Sequence, residues 1–355
     1  MTSNGSHEPA FCTIVPPHVL DNLAQHEDSA LATPARRTLE RDALERTRRR
    51  LTTVIGAPSA APPAHAADQP HRTVYDAGHR QDLPGRKVRG EGDEPGGDAT
   101  VNRAYAGLGA TYELYRTAYG RDSIDGRGLA LDASVHFGEN YDNAFWNGEQ
   151  MVFGDGDNEI FLDFTIPVDV IGHELTHGVT QYTANLAYYG QPGALNESMS
   201  DVFGSLIKQH ALGQTAADAD WLIGAGLLAP RVTGKALRSM KKPGTAYDDD
   251  VLGKDPQPGT MDGYVHTSQD NGGVHINSGI PNHAFYLVAT ELGGHAWERA
   301  GQIWYDVLTG GELRARATFA DFAKLTVAAA LARYHRGQEQ EAVLKAWEQV
   351  GVPTS

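Results

Sequence analysis

The segment His173-Glu174-Leu175-Thr176-His177 places two histidines four residues apart, with a glutamate beside the first. Residues four apart share one face of a helix, so both imidazoles can reach one ion while Glu174 lies next to it. Imidazole nitrogen is a good ligand for Zn²⁺, and a catalytic zinc site keeps one position for water. The spacing therefore predicts a hydrolytic zinc site, the alternative being two histidines that share a helix surface by chance.

A third ligand is expected at the start of the next predicted helix, in Asn196-Glu197-Ser-Met-Ser-Asp201. Glu197 would complete a His-His-Glu set. Asp201 lies one helical turn later, where it can accept the free N–H of a ligand histidine, and we expect Asn196 to support the ligands as well. The alternative is an exposed acidic pair. A zinc class with a third histidine six residues after the second is excluded, because that position is Thr183.

The segment from Asp270 to Gly279 predicts a turn-rich loop that carries an aspartate and a histidine. Amide hydrolysis passes through an oxyanion that needs hydrogen-bond donors besides the metal. His275, oriented by Asp270, would be such a donor. The alternative is a loop histidine that only fills a hydrogen-bonding niche.

Composition limits the class of protein. The 355 residues are 40% hydrophobic and 21% charged, which is ordinary for a globular protein of two or three compact units. The net charge of −15 argues against nucleic acid or an anionic membrane as the main partner. Cys12 is the one cysteine, so no internal disulfide can form. The N-terminus lacks the basic start and apolar core of a conventional signal peptide, so we expect leaderless secretion or a cytoplasmic location.

Hydrophobic periodicity predicts a β-rich part followed by a helical part, an α+β fold. Strands are expected at about 129–135 and 150–153, and a charged helix from about Pro34 to Thr52. Later helices are expected at about 168–183, 195–211, 319–334 and 338–350. We divide the chain into a short N-terminal segment (1–55), an extended Pro-rich linker (56–70), a β-rich lobe ending in the zinc-binding helix (71–190) and a helical lobe (191–355).

Six ordered segments resemble the thermolysin-like family of metallopeptidases, and the similarity extends from about Arg72 to Val352. The matching segments are Asn143–Asn147 with Gly154–Asp157, His173–His177, Tyr182–Ala184, Gly193–Glu197, Arg238–Met240 and Asp270–Gly279. The resemblance implies a two-lobed α+β fold, with a β-rich N-terminal lobe, a mainly helical C-terminal lobe and the zinc site in the cleft between them. It also implies endopeptidase activity on protein and peptide substrates.

The resemblance implies a role for each matching residue. His173, His177 and Glu197 bind zinc, and Glu174 is the general base that passes a proton to the leaving amine. Tyr188 and His275 hydrogen-bond the oxyanion, and Asp270 orients His275. The substrate backbone is held by Asn143, Ala144 and Arg238. The pocket after the scissile bond, lined by Phe161, Phe164, Val170 and Leu237, would prefer large apolar side chains, although each of these residues also has a plain core-packing interpretation.

Two departures from the family pattern matter. Lys208, Leu222 and Ala225 stand where paired calcium ions would need carboxylates, so calcium is not expected. The short N-terminal region, with its motif from Cys12 to Leu20, resembles the protealysin-type subgroup with short propeptides.

That subgroup resemblance implies a self-processing latent precursor whose Pro-Pro-hydrophobic motif docks into the substrate cleft. We expect Pro16 and Pro17 to hold an extended backbone and Val19 and Leu20 to fill the apolar pocket. Cys12 is either a small packed residue or a thiolate that takes the open position of zinc.

Two other classes of protein could carry a related motif. A catalytically dead relative that acts as a binding module would have lost Glu174 or a ligand, and all are present. An aminopeptidase with a similar zinc set would need an acidic anchor for the substrate's free amine, and the sequence shows no such motif. We expect a monomer that binds neither nucleic acid nor membrane.

Overall fold

A computed structural model describes residues 12–55 and 69–354 of the chain. Most of the predicted linker at 56–70 lies outside the described residues. The helices are α1 (Pro17–Ala24), α2 (Ser29–Ile55), α3 (Ala99–Tyr119), α4 (Val168–Gln181), α5 (Gly190–Leu212), α6 (Asp270–Asn277), α7 (Gly279–Leu292), α8 (Ala300–Thr309), α9 (Phe319–Tyr334) and α10 (Gln338–Gln349). The strands are β1 (Arg72–Asp76), β2 (Arg86–Arg89), β3 (Leu131–Val135), β4 (Ala144–Trp146), β5 (Met151–Phe153), β6 (Leu222–Ile223), β7 (Arg238–Ser239), β8 (Asp248–Asp249) and β9 (Gly253–Lys254).

The N-terminal part contains a five-stranded sheet in the order β2-β1-β3-β5-β4. The three inner strands are parallel, with Val74 beside Ala133 and Ala133 beside Met151, while β2 and β4 are antiparallel edge strands. The two strands predicted from sequence are confirmed as β3 and β5. Strand β4 leaves one edge of the sheet for another extended segment.

Close packing of α4 on α5 positions the predicted ligands. A Cβ at Gly204 of α5 would lie 2.6 Å from the carbonyl oxygen of Asp169, and one at Gly172 of α4 would lie 3.2 Å from Cα of Gly204. Two glycines therefore let the helix backbones approach where larger residues would separate them. The His173 and Glu197 side chains, which project from these helices, consequently face each other.

Some predicted boundaries were wrong. Helix α2 begins at Ser29 rather than at Pro34, because Asp28 caps it: its Oδ1 accepts a 2.9 Å hydrogen bond from the Ala30 N–H. Helix α5 begins at Gly190 rather than Leu195, with Pro192 in its first turn, where a missing N–H costs nothing.

The segment after Asp270 begins with turn residues, as predicted, and continues into a short helical turn, the two together forming α6. Four residues at its start, Asp270, Asn271, Gly272 and Gly273, are left-handed, with φ of 49°, 50°, 82° and 76°. Asparagine and glycine tolerate this conformation, so the turn residues precede the regular helical turn that carries His275.

Candidate active site

The predicted ligands converge in the interior. His173 and His177 lie on α4 with their Nε2 atoms 3.1 Å apart. Glu197 on α5 places Oε2 3.5 Å from Nε2 of His173 and Oε1 3.5 Å from Nε2 of His177. All three side chains are buried.

Hydrogen bonds behind the histidines fix their tautomers. Nδ1 of His173 lies 2.8 Å from Oδ1 of Asp201, and Nδ1 of His177 lies 2.9 Å from Oδ1 of Asn196. Both partners are acceptors, so each Nδ1 carries the proton and each Nε2 presents a lone pair. These lone pairs face each other and the Glu197 carboxylate. Lone pairs and a carboxylate this close repel one another unless a cation lies between them. Two imidazoles with one carboxylate form a zinc donor set, so the residues fit Zn²⁺.

Asp201 is itself held in place by several donors. Arg238 donates from Nε at 2.8 Å and from an Nη at 2.9 Å, and Asn282 donates at 2.8 Å. Burial raises the pKa of Asp201, but Arg238 and His173 outweigh it and hold that pKa well below its ordinary value. The sequence did not single out Asn282, because no motif contains it.

Glu174 lies beside the ligands but belongs to a different set of contacts. Its side chain is buried, and Oε2 accepts a 3.0 Å hydrogen bond from the backbone N–H of Trp146 on β4. The contact fixes the carboxylate between α4 and the edge strand. Glu174 is therefore positioned to face whatever lies along β4.

His275 and Tyr188 reach the same point from the other wall of the cleft. Asp270 accepts from His275 twice, from Nδ1 at 2.6 Å and from the backbone N–H at 2.8 Å. Burial alone would lower the pKa of His275, but Glu197 and Asp270 outweigh it and raise that pKa to about 9. The Tyr188 hydroxyl donates to Glu197 and lies 3.4 Å from Nε2 of His275. One hydroxyl, from Tyr188, and one ring N–H, from His275, thus lie next to each other beside Glu197.

An extended part of the N-terminal segment lies along β4. The Ile14 N–H donates to the Ala144 carbonyl at 3.2 Å, and the Val15 N–H donates to Oδ1 of Asn143 at 2.9 Å. The Ile14 carbonyl accepts from Arg238 at 3.1 Å. Main-chain pairing of a peptide with an exposed sheet edge is a general mode of peptide recognition. Asn143, Ala144 and Arg238 therefore bind a backbone in this structure.

The residues just before Ile14 reach the ligand cluster. The Thr13 carbonyl oxygen is 3.2 Å from Nε2 of His275. The Cys12 sulfur is 2.7 Å from Oε1 of Glu197 and 2.9 Å from the hydroxyl of Tyr188. The Cys12 sulfur also lies within the group of ligand atoms that could share one ion.

One expectation about this segment was wrong. Pro16 is extended, with φ −62° and ψ 142°, but Pro17 is the first residue of α1, where its fixed φ suits a helix. Val19 and Leu20 are buried on α1, whereas the residues whose backbone meets the substrate-binding side chains are Ile14 and Val15.

Helix α2 anchors the segment through a residue that sequence reasoning missed. Asp42 accepts hydrogen bonds from the Tyr141 hydroxyl at 2.5 Å and from the Asn143 amide at 3.1 Å. Burial raises the pKa of Asp42 to about 7, although both hydrogen bonds lower it. Asp42 resembles any other charged residue of α2 in the sequence, so only the fold identifies it.

The four predicted pocket residues are all buried in the contiguous core. The rings of Phe161 and Phe164 have centroids 5.8 Å apart. Lys208 lies elsewhere on α5, where Nζ is 2.7 Å from Asp169, 2.9 Å from Asp220 and 2.8 Å from the Leu222 carbonyl oxygen. Burial lowers the pKa of Lys208, but Asp169 and Asp220 raise it further, so the ammonium group stays charged.

Comparison with known proteins agrees with this geometry. Residues 64–181 match the thermolysin metallopeptidase catalytic domain, and residues 184–352 match the thermolysin metallopeptidase alpha-helical domain. "Extracellular metalloprotease" of Pectobacterium carotovorum subsp. carotovorum is 49% identical over 345 residues, 96% of each chain. "Protease PrtS" of Photorhabdus sp. (strain Az29) is 52% identical over 288 residues, 81% of this chain and 77% of that protein.

A solved structure, "Precursor of Protealysin, Metalloproteinase from Serratia proteamaculans", is similar with a TM-score of 0.88 and 50% identity, covering 96% of this chain and all of that one. The predicted two-lobed α+β fold is thereby confirmed. The chain belongs to the thermolysin family of metallopeptidases and is a zinc metalloendopeptidase made as a precursor with an N-terminal propeptide.

Proposed function

We propose that the site residues have the roles that their geometry favours. His173, His177 and Glu197 hold zinc, which supplies Lewis acidity toward the scissile carbonyl and toward water. Glu174 takes the proton of the attacking water and delivers it to the leaving amine nitrogen. His275 and Tyr188 donate hydrogen bonds to the developing oxyanion.

The observation that carries this proposal is that an extended part of the protein's own N-terminal segment lies in the cleft, as a substrate peptide would. The carbonyl of Thr13 faces His275, and the next residue, Ile14, is held by Ala144 and Arg238. The Thr13–Ile14 bond therefore lies where a substrate's scissile bond would lie. By this register, the side chain after the scissile bond is that of Ile14, which is buried and apolar. The register supports a preference for large apolar side chains at that position.

Mapping the cleavage sites in casein tests the preference. We expect most cut bonds to precede Leu, Ile, Val or Phe, and few to precede Asp or Glu, because a charge in an apolar pocket loses its hydration. Phenanthroline should abolish all cleavage, and an aminoacyl-nitroanilide should not be hydrolysed. Cuts that mostly precede charged residues, or release of single N-terminal residues, would show that the pocket assignment is wrong.

Latency forms the second part of the proposal. Residues 1–55 act as the intramolecular inhibitor, and cleavage at 56–70 separates them from the lobes at 71–190 and 191–355. The contacts of Ile14, Val15 and Asp42 support this division, since they engage the side chains that would hold a substrate. The Cys12 sulfur lies with the zinc donors, so we propose that it serves as a further ligand in the precursor.

Calcium independence follows from the charge of Lys208. Its ammonium group lies within 3 Å of the Asp169 and Asp220 carboxylates, at the position where the family resemblance would place the paired calcium ions. A cation there would meet like charge and would have to break a buried ion pair. The lysine therefore takes the place of the metal in joining α4 to the segment after α5.

Thermal unfolding with and without calcium tests this assignment. Millimolar calcium should change Tm by less than about 4 °C, the size of a ~1 kcal/mol effect in a chain this long. Lys208→Ala should lower stability by about 3–5 kcal/mol, because the buried Asp169 carboxylate loses its partner. Lys254→Ala, at an exposed lysine, is the matched control. A rise above about 10 °C with calcium would reveal a calcium site.

The remaining expectations concern partners and location. Ligands, base, oxyanion donors and inhibitor all come from one chain, which supports action as a monomer. The net charge of −15 disfavours nucleic acid and anionic membranes as partners. Among the described helices, none has the length and apolar character needed to cross a bilayer. The Pectobacterium relative is named an extracellular metalloprotease, which favours an extracellular over a cytoplasmic location for this protein.

A further inference from the structure

Three potential metal ligands follow the three parallel strands of the sheet. His79 comes three residues after the end of β1, His136 directly follows β3, and Asp155 comes two residues after β5. Strands β1, β3 and β5 are adjacent and parallel, so their carboxyl ends lie at one edge. The three side chains consequently meet, and one ligand atom of each lies within 4.8 Å of the others.

The contacts within this cluster are specific. Nδ1 of His136 lies 2.9 Å and 3.0 Å from the two oxygens of Asp155, and Nδ1 of His79 lies 3.4 Å from Oδ2 of Asp155. The backbone N–H of His79 donates to the His136 carbonyl at 2.8 Å, and this hydrogen bond fixes the spacing of the two residues. Both histidines have left-handed backbones, with φ of 59° and 54°. Such conformations are uncommon outside glycine and often occur at functional sites.

Asp98 completes the arrangement from behind. Its Oδ2 lies 3.0 Å from Nε2 of His136, on the opposite side of the ring from Asp155. A carboxylate that accepts the proton of one ring nitrogen leaves a lone pair on the other, as behind ligand histidines in metal sites. With that tautomer, Nδ1 of His136 faces the position that Asp155 and His79 share. Solvent can complete the coordination, because the His79 side chain is 60% exposed.

We propose that His79, His136 and Asp155 form a second site for a divalent transition ion, best suited to Zn²⁺, with Asp98 as its positioning residue. Two imidazole nitrogens and one carboxylate favour zinc over calcium, which prefers oxygen ligands. A bound ion would join the ends of three strands. The competing interpretation is an ion-free His136 that bridges Asp155 and Asp98 as an imidazolium, consistent with the rise in its pKa to about 9 that those carboxylates cause.

Equilibrium dialysis of the full-length, zinc-loaded Glu174→Ala precursor against free Zn²⁺ at pH 8 tests the proposal, with zinc per chain measured by atomic emission. We expect two zinc ions per chain, the second of which raises Tm. His79→Gln should weaken the second site at least tenfold, and Asp98→Asn should weaken it about tenfold, while the first site is unchanged. His79 is largely exposed, so this variant keeps the fold.

His335→Gln is the matched control, since His335 is an exposed histidine that also has a left-handed φ, of 65°. It should retain both ions. One zinc per chain in the Glu174→Ala precursor without a further substitution would overturn the proposal. So would a second ion that binds equally well after His79→Gln and His136→Gln, or one that is lost equally after His335→Gln.

Discussion

Glu174→Ala will abolish peptidase activity while zinc stays bound. The three ligands remain in this variant, but the group that moves the proton from water to the leaving amine is gone. General base catalysis contributes about 10²–10⁴-fold, and loss of the same residue as proton donor adds to that, so we expect a loss of several orders of magnitude. The initial rate on a quenched peptide and the zinc content of the same sample are the two measurements.

Glu149→Ala is the matched control, because Glu149 is an exposed glutamate of the same lobe. It should have the activity of the unsubstituted enzyme. The assigned role of Glu174 is wrong if the Glu174→Ala enzyme keeps even a tenth of that activity with zinc bound. A variant that loses zinc as well as activity would instead make Glu174 a structural support of the ligands.

Ile14→Asp will yield a precursor that is active before it is cut. The Ile14 side chain is fully buried and its backbone is held by Ala144 and Arg238. A carboxylate at this position would replace an apolar side chain in the hydrophobic core, and burying it costs several kcal/mol. A loss of about 4 kcal/mol in docking corresponds to roughly a thousandfold shift toward the open cleft. Intact mass and activity of the freshly purified precursor measure the effect.

Leu44→Asp makes the same chemical change at an exposed position of α2, where the side chain is 55% accessible. This control should remain as latent as the unsubstituted precursor. Equal latency of the Ile14→Asp and Leu44→Asp precursors, both uncut, would mean that the extended segment does not block the cleft.

The ligand set was predictable because helical periodicity places residues of one short segment on one face. His173, His177 and Glu197 needed only the helix repeat and a second helix. The outer hydrogen bonds of Asp201 and Asn196 follow from the same repeat. The role of Asn282 does not, because α7 reaches Asp201 only through tertiary packing.

The N-terminal segment shows more clearly which features the sequence alone does not determine. The resemblance to the short-propeptide subgroup implies that the Pro-Pro motif docks in the cleft, but the register depends on which backbone groups meet Asn143 and β4. Pro17 suits both an extended peptide and a first helical turn, and the sequence does not distinguish them. In the structure, the backbones of Ile14 and Val15 meet Ala144, Asn143 and Arg238. A register of this kind is set by pairing with a distant strand.

A single time course on the unsubstituted precursor tests the central claim most directly: that the stretch from Cys12 to Val15 blocks the active-site cleft and keeps the enzyme latent. Samples taken during incubation are divided for peptidase activity, intact mass and N-terminal mapping. We expect activity to rise only as the intact precursor disappears, and the new N-terminus to lie between about 45 and 75, around the Pro-rich segment. A fully active uncut precursor, or a cut well outside that range when activity appears, would contradict it.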